Sequence, residues 1–524
     1  PIELEGTYPL PEAQLDRFMF NVVMTYLSED EEVRVVTQTT GGEGRRPDRV
    51  LGGADILAFQ GLVRQVGIAA EAARYPARVV DATRPAQAAS PDFVKKYVKW
   101  GAGLRASQAI VLGAKARALM RGRYHVSVAD VRAMALPALR HRVVTNFYAE
   151  SEQLTSDAIV SRLLDLVPQY QSLREEIRRA IDEVCDQQSL ILGPHVEKFE
   201  KALAAYCGTR HAIGVSSGTD AILASLMAID AGPGDEVICP SFTFFATAGC
   251  VARVGASPVF VDIDPVSFNI DPKLIEKRIT KRTKAILPVH LFGQCADMTA
   301  INQVACRHEL PVIEDAAQAI GARHRDKPAC SMGFAGCLSF YPTKNLGAFG
   351  DGGAICCNDD KLAEKLRKLR VHGSGHTYYH EYVGGMFRLA AIQAAVLSVK
   401  LKYLEQWHAA RQRNAAIYDE VLIGSKVVTP AIAPDNRSVY NQYVVRVHDR
   451  DTVKQKLQDA GIGSAVYYPL GLHLQQCFKH LGYREGDLPE TERACREVLA
   501  LPIYPELTEE QVRHAARTLR DIAG

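Results

Sequence analysis

From about Ile181 onward, short apolar runs alternate with longer stretches whose apolar positions recur at helical spacing. The runs HAIGVSS, DEVICP, PVFVDID, KAILPVHL, PVIEDAA and GCLSFYP predict strands, and TDAILASLMAI and ADMTAINQVACRHE predict helices between them. Alternation of this kind predicts an α/β fold with a mostly parallel sheet covered by helices on both faces. Ligands of such sheets sit at the carboxyl ends of the strands. A long helical pattern, AAIQAAVLSVKLKYLEQWHAARQRNAAIYDEVL, then leads to a region at about 402–524 with strand-like runs YNQYVVRV and GIGSAVYYP, which predicts a smaller C-terminal α+β lobe.

The first 160 residues differ: helical periodicity dominates, no strand alternation is evident, and a loop-prone insert, TTGGEGRRPDR, and a Pro- and Ala-rich stretch, TRPAQAASPD, interrupt it. The pattern therefore sets 1–160 apart from the alternating region that follows and marks a smaller lobe at about 402–524.

Length and composition change this picture little. At 524 residues, 47% hydrophobic and 23% charged, the chain has the make-up of a globular protein of several domains. A net charge of +2 gives no field that favours nucleic acid or an anionic membrane as partner. No apolar run approaches the roughly 20 residues of a membrane helix, and the N-terminus lacks the order of a signal peptide, so a cytoplasmic protein is expected. All 12 cysteines lie between Cys185 and Cys495 without a C-x-x-C pair, so reduced thiols are expected and no metal site is indicated.

Three stretches carry candidate chemistry. In GVSSGTDAILASLMAI a strand runs into Ser216 to Thr219 at a helix start, where free N–H groups and a hydroxyl hold a phosphate; an ordinary capped helix fits the same letters. In PVIEDAAQAIGA, Asp315 ends an apolar strand, and a buried carboxylate needs either a cation or hydrogen-bond donors. In CLSFYPTKNLGAFGDGGAICC, Lys344 follows a strand that carries Ser339; it is either a reactive amine or a solvated surface lysine. In combination, an anion cradle, a strand-end carboxylate and a reactive lysine on successive strands match the needs of pyridoxal phosphate, and Phe244 in PSFTFFATAGC supplies an aromatic plate for its ring.

With LLDLVPQYQSLREEI and ILGPHVEKFEKALAAYCG preceding them, these motifs resemble the DegT/DnrJ/EryC1/StrS family of pyridoxal-phosphate aminotransferases, on the aspartate aminotransferase fold (fold type I). The resemblance implies that Lys344 is the Schiff-base lysine and proton shuttle, Asp315 the partner of the ring nitrogen and Gln318 a neighbour of the ring hydroxyl. Phe244 stacks on the ring, and Gly218, Thr219 and Ser339 hold the phosphate. It further implies a large cofactor-binding domain at 163–401, a homodimer, glutamate as amino donor and a nucleotide-linked keto-sugar as acceptor. Two positions depart from the family's pattern. Met386 in GGMFRL stands where an Asn usually reaches the neighbouring subunit's phosphate, although Arg388 matches, and Ala390 stands where an acidic residue is common. Tyr467, His473 and His376 are candidates for the acceptor pocket, with core or surface roles as the alternative.

The N-terminal segment, with LDRF and WGAGLRASQAIVLGAKARALMRGRYHVSVADVRAMALPALRHRV, resembles the C-terminal lid part of MoxR-type AAA+ ATPases, with Arg17 and Arg105 matching its nucleotide-site arginines. No G-x-x-x-x-G-K-[ST] loop stands in the chain to hold ATP, which favours helix-surface roles for both. LLDLVPQY closes one resemblance and opens the other, a seam that suggests recombination, a joined reading frame or an assembled chimera, and a start at Pro1 without Met is consistent with a fragment. Two other readings compete with the aminotransferase. One is a AAA+ chaperone fragment with a passenger, and the other an inactive aminotransferase-fold sensor.

Overall fold

The computed structural model describes residues 11–23, 29–40, 50–87, 90–126, 128–152, 154–376, 378–460 and 462–524. Pro1, most of the insert TTGGEGRRPDR and part of TRPAQAASPD lie outside them. The chain divides into two compact units, Pro1–Gln171 and Ser172–Gly524.

The first unit is a helical packing in which Leu104–Met120 and Val128–Leu139 are principal helices. Its core gathers Tyr75, Val79, Ile110, Leu139, Val160 and Leu163. Although its sequence shows no strand alternation, β1 (Val98–Trp100) and β2 (Val144–Thr145) form a short antiparallel pair. Two-residue and three-residue strands are too brief to show alternation in a sequence. Asp130, fully buried, is held by Arg117 at 2.5 Å and Arg123 at 2.7 Å, which satisfies a charge that would otherwise be costly to bury.

The second unit is built on strands β3 (His211–Val215), β4 (Glu236–Pro240), β5 (Ser257–Val261), β6 (Thr283–Ile286), β7 (Ile313–Asp315), β10 (Ala335–Ser339) and β11 (Gly353–Cys357). A small hairpin, β8 (Arg323–His324) and β9 (Lys327–Pro328), intervenes. Four strands pair in the order β3-β11-β10-β7 and three in the order β5-β4-β6; parallel bridges Ile286 to Val312 and Val289 to Asp315 join the two sets beside β7. β11 is antiparallel to both its neighbours, whereas the pairs β10/β7, β4/β5 and β4/β6 are parallel. The sheet is therefore mostly parallel, and the carboxyl ends of β3, β7 and β10 share one edge.

Burial follows from sequence. Every residue of β4 is buried, as its unbroken apolar run requires of a strand covered on both faces. Helix Gly218–Ala228 is buried along nearly its whole length and packs with the sheet around Ile213, Val215 and Ile355. Helix Pro194–Cys207 has Pro at its start and Gly208 in the left-handed conformation just past its end, the arrangement that backbone freedom favours.

Two sequence readings differ from the structure. The long helical pattern is two helices, Ala391–Leu401 and Leu404–Leu422. The corner at Lys402 and Tyr403 is tied down by Glu176, which accepts from the Lys402 ammonium and, at 2.9 Å, from the Tyr403 hydroxyl. GIGSAVYYP, whose first residue is outside the described set, pairs only through an isolated bridge, Ala465 to Ala500. The partner of the strand Tyr443–Arg446 is Val498–Leu501 instead, over a core in which Tyr418 and Tyr443 stack at 4.7 Å. Among the described residues no helix is long and apolar enough to cross a membrane, and no group of three or more His, Cys, Asp or Glu could hold a metal ion.

Candidate active site

The strand β3 ends where the first turn of helix Gly218–Ala228 begins, with Ser217 as its cap. Ser217 Oγ accepts from Asp220 N at 3.0 Å, and both serine hydroxyls, Ser216 Oγ at 2.7 Å and Ser217 Oγ at 2.8 Å, donate to the Asp220 carboxylate. Ser216 and Ser217 are thus turned inward, which leaves Gly218 and Thr219 to present first-turn N–H groups that have no acceptor inside the helix. Ser339, ending β10, closes the cradle: a Cβ on Gly218 would stand 2.7 Å from the Ser339 Cβ, so only glycine permits this approach.

Asp315 ends β7 and is 4% exposed. Its Oδ2 accepts from Thr247 Oγ1 at 2.8 Å and its Oδ1 from Ala317 N at 3.2 Å. Burial nevertheless pushes its carboxyl above the ordinary range, against the opposing pull of those two donors, Lys344 and His290. Its demand for positive charge is therefore only partly met, which suits a cationic ring nitrogen. Lys344, in the turn after β10, is half-buried and its amine lies close enough to feel the charge of Asp315. Burial lowers that amine to about 8, with Asp315 acting in the opposite direction. Phe244 is 58% exposed, and its carbonyl accepts from Thr247 N at 3.3 Å, so the aromatic plate and the donor to Asp315 belong to one turn. Gln318 is engaged at both ends: its Oε1 accepts from Phe292 N at 2.7 Å and its Nε2 donates to Tyr468 Oη at 3.1 Å.

An anion cradle, a charge-hungry carboxylate, a partly neutral amine and an exposed aromatic plate thus meet at the carboxyl edge of one sheet, and the residues present fit pyridoxal phosphate. Over residues 171–520 the chain matches the profile of the DegT/DnrJ/EryC1/StrS aminotransferase family. It belongs to that family. Residues 92–163 match the AAA lid domain. Among curated relatives, a protein named pleiotropic regulatory protein from Geobacillus stearothermophilus is 52% identical over 68% of this chain and 97% of its own length. The UDP-2-acetamido-2-deoxy-3-oxo-D-glucuronate aminotransferase of Pseudomonas aeruginosa is 45% identical over 66% of this chain and 95% of that protein. The crystal structure of DesV from S. venezuelae superposes with a TM-score of 0.67 at 44% identity, covering 68% of this chain and 97% of that one. The chain is a family aminotransferase on the fold type I architecture.

Two contacts escaped the sequence reading. Thr247 carries the signal of standing three residues after Phe244 on one helical turn; Tyr468 rather than Tyr467 reaches Gln318, and nothing in the pair YY separates them. Other candidates fall outside the cluster. His473 is 1% exposed, with Nδ1 2.7 Å from Ser241 Oγ and Nε2 3.2 Å from Glu492 Oε1, so it is a satisfied core histidine. His376 is exposed on β12 (Ser374–His376), which pairs with β13 (Tyr379–His380) in a hairpin. In the first unit Arg17 is exposed and Arg105 pairs with Asp16 at 3.2 Å.

In GGMFRL, Met386 is 63% exposed, while Phe387 O accepts from Ser216 N at 2.8 Å and Arg388 bridges Val215. Ala390 caps helix Ala391–Leu401 without a side-chain hydrogen bond, which gives a physical reason for an acidic residue there. Ala390→Asp should stabilise the fold by about 1 kcal/mol, through an accepted N–H and the helix dipole. Denaturant unfolding of the two proteins side by side measures it.

Proposed function

We propose that this aminotransferase moves an amino group from glutamate to a keto group on a nucleotide-linked sugar, with Lys344 and Asp315 as catalytic residues and pyridoxal phosphate as cofactor. The observation that carries the reading is that the half-buried Lys344, its amine lowered to about 8, lies close enough to feel the charge of the buried Asp315 carboxyl, itself pushed up. Bound there, the cofactor supplies an electron sink for charge that develops at the substrate carbon. The protein's own residues do the rest. Gly218, Thr219 and Ser339 hold the phosphate, Phe244 covers the ring face, and Gln318, fixed by Phe292 and Tyr468, borders the ring's polar edge. Asp315 keeps the ring nitrogen protonated. Lys344 Nζ, partly neutral near pH 8, takes the proton from the donor's carbon and returns it to the acceptor's.

The acceptor class is supported by relatives whose names specify UDP-, dTDP- and GDP-linked amino sugars. We assign residues 172–401 to the cofactor-binding domain and 402–524 to the small lobe; the start falls later than the expected 163 because Leu163 packs in the core of the first unit. A homodimer is proposed because Ile191 and Met386 leave apolar surface exposed on the second unit, and two-fold pairing is the commonest way to cover such surface.

Borohydride reduction of the cofactor-loaded enzyme followed by peptide mapping tests the assignment of the amine. The pyridoxyl mass is expected on Lys344; its appearance on another lysine would reject the site.

A further inference from the structure

The loop that carries Lys344 is fixed from behind by groups that no step of the reaction uses. Gly347 turns back on Pro342 so closely that a Cβ at Gly347 would stand 2.3 Å from the Pro342 carbonyl oxygen. Ala348 N donates to Phe340 O at 2.7 Å, closing the loop's base. Asn345, next to the reactive amine and 4% exposed, donates from Nδ2 to Val439 O at 3.0 Å. The remaining tie comes from a second buried lysine. Lys400, on helix Ala391–Leu401 and 5% exposed, donates from its ammonium to the Gly347 carbonyl oxygen. Its Nζ also lies 5.8 Å from the centroid of the Trp407 ring; burial lowers this amine to about 8 as well, with Glu506 acting in the opposite direction.

A lysine is rarely buried for packing alone, since an apolar side chain of equal length fills the space without the cost of desolvating an ammonium. Here its hydrogen bond goes to a backbone oxygen three residues beyond Lys344. Loss of that donor loosens the turn at Gly347, while Asn345 and Ala348 keep its middle and base in place. A loosened turn admits water to the amine whose burial keeps it partly neutral.

We propose that Lys400 is a positioning residue for Lys344: by donating to the Gly347 carbonyl it holds the Lys344 loop shut and keeps the reactive amine desolvated. The inference rests on Lys344 being that amine, and deepens the functional reading by naming what maintains it.

The test uses the full-length protein and Lys400→Met, which keeps the bulk and removes the donor, with Lys400→Arg as the conservative variant. In cofactor-free protein, the rate at which an amine-acylating reagent modifies Lys344, followed by peptide mass against pH, reports the amine directly. The unaltered protein should show a midpoint near 8. Lys400→Met should move it upward by about one unit or more, towards an ordinary lysine, and Lys400→Arg should leave it within about 0.3 of the unaltered protein. In the loaded enzyme Lys400→Met should lower kcat by about tenfold while KM for the acceptor stays within about twofold, the pattern of a lost contribution to the chemical step. A midpoint and kcat that match the unaltered enzyme, even with a lower melting temperature, would overturn the proposal. Should Lys400→Met not fold, Lys400→Gln is read against the same outcomes. The borohydride map of the unaltered enzyme separates the two ideas: label on another lysine overturns both, whereas label on Lys344 with an unmoved midpoint overturns only the role of Lys400.

Discussion

Lys344→Ala is expected to reduce amino transfer by about three to four orders of magnitude while leaving the fold intact, because it removes both the group that carries the proton and the amine that engages the cofactor. The methyl of alanine replaces a side chain on a turn already fixed by Asn345 and by the tie to Gly347, so the loop keeps its course. Steady-state kcat with saturating cofactor measures the loss, and a melting curve confirms that the protein folds. A small primary amine added to the variant should restore part of the rate, since it can enter the space the side chain leaves. A variant that retains more than about a tenth of the activity would place the proton transfer on another group.

Asp315→Asn has effects of opposite sign with and without cofactor. The amide is close in shape and still accepts from Thr247 Oγ1 or Ala317 N, so the change isolates the charge. In the cofactor-free protein the folded carboxyl binds its proton more tightly than the unfolded one. Stability is therefore lost as pH rises through the carboxylate range, and at neutral pH the ionised group costs its full penalty. Cofactor-free Asp315→Asn should accordingly be at least as stable as the unaltered protein at pH 7. With cofactor bound the order reverses, because the unaltered enzyme gains a buried ion pair that the amide cannot form. Breaking such a pair costs about 3 to 5 kcal/mol, which corresponds to a loss of more than about a hundredfold in cofactor affinity or turnover. Thermal melts at pH 7 with and without pyridoxal phosphate read both signs, and equal shifts in the two states would show that Asp315 does not meet the ring nitrogen.

The parts of the fold legible in the sequence are those with local periodicity. DEVICP and HAIGVSS read as strands because their apolar runs are fully buried, and the helix start after β3 is legible because strand, small polar residues and helix follow one another directly. What could not be read depends on contacts distant in the chain. Tyr468 meets Gln318 across 150 positions. Lys400 reaches Gly347 across 53, and in the sequence it is one more lysine on an amphipathic helix. The inward turn of Ser216 and Ser217 depends on Asp220, whose role as their acceptor is a matter of rotamer and not of spacing. The helix break at Lys402 follows from a tertiary tie to Glu176, while the letters around it continue a helical pattern without interruption.

Amino transfer from glutamate to a nucleotide-linked keto-sugar is followed with glutamate labelled at its nitrogen with the heavy isotope. The purified chain, saturated with pyridoxal phosphate, is offered UDP-, dTDP- and GDP-linked keto-sugars in turn, and the products are resolved by mass spectrometry. The expected result is the heavy nitrogen in an amino group on one of these sugars, formed in step with the keto acid of glutamate and abolished by Lys344→Ala. Label that stays in glutamate with every acceptor, from enzyme whose Lys344 carries the cofactor, would contradict it.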